Sequence, residues 1–245
     1  MKIYGIIPAR FASTRFPGKP LADIKGKSMI RRVYEQASKS VLLNKVIVAT
    51  DDQPIFDHVA AFGGEVTMTS SDHQSGTSRC FEVVEKINGN LPDVVINIQG
   101  DEPFIDPQQI DNMARLFTDP SVQIATLIKK ISSPEELFNP NVVKVVTGTD
   151  GKAIYFSRSP IPYLRGVDQK NWHDTTDFFK HIGIYGYRIN VLAEIVSLPP
   201  SKLELAESLE QLRWIENGLV IHTTETDLEG FAVDTPEDLA KIINI

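Results

Sequence analysis

The chain has 245 residues, 42% hydrophobic and 23% charged, an ordinary balance for a soluble globular protein with one large α/β domain or two small ones. A net charge of −7 argues against general nucleic-acid binding, and a single cysteine, Cys80, excludes an intramolecular disulfide or a cysteine-rich metal site. Residues 1–45 nevertheless carry ten Lys or Arg against two acids, Asp23 and Glu35, and such a basic first unit suits an anionic ligand.

In chain order, the apolar run Ile3–Ile7 predicts a buried first strand, and Met29–Ala37 a helix with Ile30, Val33 and Tyr34 on one face. Val46–Ala49 reads as a strand, Ile55–Phe62 as a helix, Val66–Met68 as a short strand and Thr77–Ile87 as a helix. Val94–Ile98 is again a strand and Gln108–Phe117 a helix. This β-α-β-α order, with short Gly, Pro and Asp connections, predicts a mostly parallel central sheet flanked by helices. Beyond residue 120 the pattern becomes richer in strands: Ile124–Ile131, Val142–Val146, Ile154–Phe156 and His181–Ile189. Residues 159–180 form a polar excursion with little periodicity. Leu205, Leu209 and Leu212 mark a helix by their i, i+4, i+7 spacing, Leu219–Thr224 a strand and Thr235–Ile243 a closing helix. The expected organisation is a single α/β domain. Residues 1–120 are expected to form the parallel part, about 121–200 a smaller β-rich subdomain, and 201–245 to complete the core. No run approaches a membrane span, and Met1-Lys2-Ile3 leads into a strand without a signal-peptide pattern, so a cytoplasmic protein without membrane insertion is expected.

Three segments carry chemistry. The loop after the first strand, Pro8-Ala9-Arg10 to Lys19-Pro20, sets Arg10, Arg15 and Lys19 on a turn rich in Pro and Gly. Planar Arg forks and an approachable backbone suit a polyphosphate, and the loop lies where open α/β sheets bind ligands. An apolar strand ends in Gln99-Gly100-Asp101-Glu102-Pro103, which puts an acid beside that basic loop. A carboxylate meeting a polyphosphate calls for a cation between them, and Mg²⁺ prefers such oxygen ligands; an ordinary Asp-containing turn is the alternative. Asp234-Thr235-Pro236 precedes the last helix, so Asp234 is either a helix cap or the second carboxylate of a Mg²⁺ site.

Asp72 to Arg79 is a polar loop opening a helix. Its Ser75, Gly76 and Thr77 suit a planar base or a ribose, or simply cap the helix, and His73 reads as a surface residue. In the second half, Arg158, His181, Tyr185, Glu210 and Gln211 offer a cation, amides and acids for a sugar acid, although each is singly explained by sheet pairing or a solvated helix face.

Across its full length the chain resembles the 3-deoxy-manno-octulosonate cytidylyltransferase family. The resemblance is carried by I-I-P-A-R-F-A-S-T-R-F-P-G-K-P, D-H-Q-S-G-T, N-I-Q-G-D-E-P, F-N-P-N-V-V-K-V-V and Y-F-S-R-S-P-I-P, and more narrowly by H-I-G-I-Y-G-Y-R, L-E-Q-L-R and V-D-T-P-E-D-L. It implies transfer of CMP from CTP to 3-deoxy-D-manno-octulosonate (Kdo), with release of pyrophosphate, for lipopolysaccharide synthesis. It further implies that Arg10, Arg15 and Lys19 hold the CTP phosphates, and that Pro8, Ala9, Ser75, Gly76 and Thr77 hold the cytosine and ribose. Asp101 and Asp234 are then the Mg²⁺ ligands, and Gln99, Arg158, His181, Tyr185, Glu210 and Gln211 surround Kdo. A homodimer formed through the β-rich second half is also implied. The competing readings are a cytidylyltransferase for another sugar acid, a glycosyltransferase using a nucleotide sugar, and a non-catalytic nucleotide sensor.

Overall fold

The computed structural model describes residues 1–11, 16–228 and 230–243. Its strands are β1 (Ile3–Ala9), the short pair β2 (Asp23–Ile24) and β3 (Lys27–Ser28), β4 (Lys45–Thr50), β5 (Glu65–Met68), β6 (Val94–Asn97), β7 (Ile124–Lys130), β8 (Lys144–Thr147), β9 (Ala153–Ser157), β10 (Phe179–Arg188) and β11 (Ile221–Glu225). The α-helices are α1 (Met29–Ala37), α2 (Gln53–Ala61), α3 (Gly76–Lys86), α4 (Pro107–Leu116), α5 (Pro134–Phe138), α6 (Trp172–Thr175), α7 (Ile189–Ser197), α8 (Lys202–Glu207), α9 (Gln211–Glu216) and α10 (Pro236–Ile243).

The main sheet runs β11-β7-β10-β6-β1-β4-β5. Along it β1, β4, β5, β6, β7 and β11 share one direction, and only β10 opposes them. The sheet is therefore mostly parallel, as the β-α-β-α pattern predicts. Off its path, β8 pairs antiparallel with the start of β10 and with β9.

Burial on both faces explains why β1 is so apolar. Ile3 and Ile7 pack into a core shared with Ile30 and Val33 of α1, Ile55 of α2 and Met113 of α4. Tyr4 and Ile6 point the other way, into a core with Cys80 and Val83 of α3, Leu192 of α7 and Trp214 of α9. Ile6, Ile7, Ile30 and Val83 are all completely buried, and each such side chain contributes ~1.5–3 kcal/mol. The helices start where polar side chains satisfy their first amides: Ser28 caps α1, Asp52 caps α2, Ser75 caps α3 and Asp106 caps α4. Among the described residues no helix is long and apolar enough to cross a membrane.

Two elements depart from the sequence pattern. The helix expected through Leu205, Leu209 and Leu212 is two helices, α8 and α9, broken at Ser208, whose φ of 52° is left-handed. Leu205 is consequently exposed while Leu209 and Leu212 are buried, so the leucine spacing does not mark one continuous face. The strand expected to reach Ile189 stops at Arg188, and Ile189 opens α7, which buries Val191, Leu192 and Ile195. Here an apolar helix follows an apolar strand with no turn residue between them, so hydrophobicity alone does not mark the junction. The polar excursion at 159–180 is also anchored: Trp172 and Phe178 pack with Ile131 and Leu137 in a small core of their own.

Candidate active site

The parallel strands β1 and β6 end side by side, with Ile98 N–H still donating to Ile6 O at 2.9 Å. The loops beyond them wall a cleft of about 250 Å³, lined among others by Pro8, Ala9, Arg10, Lys19, Gln99 and Asp101. Close approach of the two loops requires Gly100, because a Cβ there would lie 2.7 Å from the Pro8 carbonyl oxygen. Gly18, at φ 71°, turns the first loop back: its N–H donates to Phe11 O at 3.0 Å, and Lys19 begins the 3-10 turn Lys19–Leu21. That turn aims the Lys19 ammonium inward.

Asp101 and Asp234, 133 positions apart in the chain, meet at that ammonium. Lys19 Nζ is 2.8 Å from Asp101 Oδ2 and 3.5 Å from Asp234 Oδ1. Backbone pairing holds the two segments together, with Val233 N–H donating to Asp101 O at 2.9 Å. The helix cap falls to Thr235, whose hydroxyl accepts from Asp238 N–H while Asp238 Oδ2 accepts from the Thr235 and Asp234 amides. The Asp234 carboxylate is thus directed to the cleft and not to the helix start. Two facing carboxylates are donors of the kind a hard divalent cation takes. Among the described residues no cluster of three or more His, Cys, Asp or Glu is placed to hold a metal. An ion held by Asp101 and Asp234 therefore needs ligand phosphate oxygens and water to complete its shell.

Ser75 and Gly76 line the same cleft from the start of α3. Thr77 does not: it is buried, and its hydroxyl donates to Glu210 Oε2 at 2.8 Å, because the third residue of that turn faces the protein interior. Arg10 is exposed at the cleft edge, and Arg15 lies outside the described residues. Gln99 lines the cleft and donates through Nε2 to Gly183 O at 2.7 Å. That carbonyl belongs to a bulge in β10 between Ile182 and Tyr185, whose remaining carbonyls are met by the Thr126 hydroxyl, 2.7 Å from Ile184 O.

The other residues considered for a sugar acid gather beyond the bulge, away from the cleft wall. The His181 ring lies 5.0 Å from the Tyr185 ring, edge-on to Phe156, and its Nε2 is 3.0 Å from Thr126 Oγ1. Tyr185 and Tyr187 both meet Trp214 edge-on. Burial pushes His181 down to about 3, raises both phenols well above their usual range, and raises Glu210 against the hydrogen bonds from Thr77 and Ser75. His181 is therefore a neutral imidazole and the tyrosines keep their protons. Arg158 grips the turn before Glu210, donating to the carbonyls of Glu207, Ser208 and Pro140. Gln211 is buried beside Leu212 and Trp214.

Sequence reasoning missed two residues of the cleft. Arg79 is almost completely buried yet lines it, tied to Thr69 Oγ1 at 2.5 Å and Asp51 Oδ2 at 3.2 Å. His73, read above as a surface residue, lines it too, with its Nε2 bonded to Glu82. The available signal was the partner acid in each case: Asp51 at the end of a strand, and Glu82 nine positions after His73 on a helix.

A cytidylyltransferase family model matches residues 4–226. The 3-deoxy-manno-octulosonate cytidylyltransferase of Cytophaga hutchinsonii is 55% identical over 243 residues, covering 99% of this chain and 96% of that protein. Its counterpart from Parabacteroides distasonis is 56% identical over 247 residues, covering 99% and 97%. Among solved structures, a CMP:2-keto-3-deoxy-manno-octonic acid synthetase complexed with CTP superposes with a TM-score of 0.92 at 45% identity, covering 100% of this chain and 98% of that one.

Proposed function

The chain belongs to the 3-deoxy-manno-octulosonate cytidylyltransferases, and on that premise we infer that it transfers CMP from CTP to Kdo, giving CMP-Kdo and pyrophosphate. The observation that carries the mechanism is the meeting of Asp101 and Asp234 at Lys19 Nζ, beside the end of β1. The Kdo 2-hydroxyl oxygen attacks the α-phosphorus as its proton passes to solvent water, the bond from that phosphorus to the bridging oxygen breaks, and pyrophosphate departs with the electron pair. Arg10 and Lys19 hold the triphosphate and stabilise charge on the leaving group as it develops. Asp101 and Asp234 would hold a divalent cation such as Mg²⁺. When bound, it neutralises phosphate charge and acidifies a coordinated hydroxyl. Pro8, Ala9, Ser75 and Gly76 seat the cytosine and ribose.

Kdo binds beside Gln99, on the side of the cleft toward the aromatic cluster of His181 and Tyr185. The neutral imidazole and the protonated phenol serve sugar hydroxyls there, and Glu210, steadied by Thr77, accepts from another. Arg158 sets the turn that presents Glu210. No residue is asked to form a covalent intermediate.

The protein works as a homodimer in the cytoplasm, associating through the second half. Support for the dimer comes from its exposed apolar side chains, Ile154, Tyr163, Leu205 and Phe138. Light scattering behind a sizing column tests it: twice the mass of the 27.3 kDa chain is expected. The activity is tested by pyrophosphate release from CTP and Kdo with Mg²⁺. Turnover should collapse when UTP replaces CTP or a sialic acid replaces Kdo, and equal turnover with UTP would overturn the reading.

A further inference from the structure

His73 and Glu82 form a carboxylate–imidazole pair on the wall of the cleft. His73 lies in the loop before α3 and Glu82 on its second turn, and His73 Nε2 is hydrogen-bonded to Glu82 Oε2. Glu82 is itself fixed: Oε2 also accepts from Ser70 N–H at 2.8 Å, and Oε1 lies 2.6 Å from Lys86 Nζ. Burial by itself would raise the Glu82 carboxyl, but the bonds from Lys86, the Ser70 amide and His73 overcome it and hold it down at about 2. An ionised carboxylate has no proton to give, so the His73 Nε2 must donate. In a neutral ring this leaves Nδ1 as an oriented lone pair. Among the described residues the ring makes no other hydrogen bond, although it lines the cleft.

We propose that His73, oriented by Glu82, accepts a hydrogen bond from the nucleoside part of CTP. The donor is a ribose hydroxyl or the exocyclic amine of cytosine, the groups on that nucleotide with a proton to give. Glu82 is a positioning residue, since it acts only through the ring. The assignment deepens the reading of the cleft as a CTP site and rests on it.

The test compares kcat and KM for CTP, 2′-deoxy-CTP, 3′-deoxy-CTP and UTP in the wild type, His73→Ala and Glu82→Gln. Loss of one such bond should lower kcat/KM for CTP roughly five- to tenfold, chiefly through KM. If the donor is a ribose hydroxyl, the matching deoxynucleotide shows that loss in the wild type and His73→Ala adds nothing to it. If it is the amine, preference for CTP over UTP shrinks in His73→Ala while both deoxynucleotides lose equally in both proteins. Glu82→Gln should reproduce part of the His73→Ala loss and be nearly silent when combined with it. Because Glu82 also anchors Ser70, its replacement can loosen the loop, so ¹⁵N shifts of the wild-type ring give an independent readout. They should show a protonated Nε2 and a bare Nδ1. A bare Nε2, or equal losses by His73→Ala on all four nucleotides, or no loss on any, overturns the proposal. Failure of the wild type to use CTP at all would instead remove the reading beneath it.

Discussion

The cleft at the ends of β1 and β6 and the aromatic cluster beyond the β10 bulge adjoin each other, yet they are built on opposite physics. In the cleft, charges are gathered at a partly open surface, and Lys19, Asp101 and Asp234 are held by backbone pairings between loops distant in the chain. In the cluster, charge is suppressed: burial keeps His181 neutral, keeps Tyr185 protonated and raises Glu210. The difference matches what each would hold. A triphosphate needs fixed cations and counter-charges, whereas the hydroxyls of a sugar acid need oriented neutral donors and acceptors from which water is excluded. Thr77, one residue beyond cleft-lining Gly76 and bonded to Glu210, joins the two.

The comparison breaks most visibly at the carboxylates. Asp101→Asn or Asp234→Asn should lower kcat at least about a hundredfold in the pyrophosphate-release assay while KM for Kdo changes little. Gly100→Ala, which drives a Cβ toward the Pro8 carbonyl oxygen, should cost about tenfold in kcat/KM for CTP and lower the melting temperature by several degrees. On the other side, Thr77→Val removes one of the two hydroxyl donors, Thr77 and Ser75, that hold Glu210. It should raise KM for Kdo about five- to tenfold, with KM for CTP within about twofold of the wild type.

A last effect is on stability and separates the open acids from a closed one. Glu102 is buried behind Asp101, and burial, then the Asp101 charge, raises its carboxyl to about 7. The folded protein therefore binds more protons than the unfolded chain between about pH 4.5 and 7, so this group's contribution to stability falls as pH rises through that window. The loss is ~3 kcal/mol at most. Glu102→Gln should flatten the fall in melting temperature between pH 5 and pH 8; an unchanged slope would mean the carboxyl is not closed off from water.

The parallel half of the fold is legible because periodicity and caps agree there: Ser28, Asp52, Ser75 and Asp106 begin helices whose apolar faces repeat at helical spacing. The cleft loops are legible because Gly and Pro announce turns and the charges are concentrated on them. The choice between cap and ligand at Asp234 is not readable from Asp-Thr-Pro, since either Asp or Thr caps equally well; only the fold shows Thr235 taking the role. The α8–α9 break at Ser208 is hidden for a similar reason. A left-handed serine has no sequence mark, and the leucines around it keep helical spacing across a turn. His73 and Arg79 are missed because their partner acids, nine and 28 positions away, are visible in the sequence but mark a site only once the fold sets them on the cleft.

The proposed catalysis requires that two carboxylates from distant segments share one divalent cation above the end of β1. Crystals grown with Mn²⁺ and a non-hydrolysable CTP analogue, examined at the manganese absorption edge, test it most directly. An anomalous peak is expected within coordination distance of both Asp101 and Asp234, with phosphate oxygens among its other ligands. A manganese peak on the phosphates that touches neither carboxylate, or only one, would contradict it.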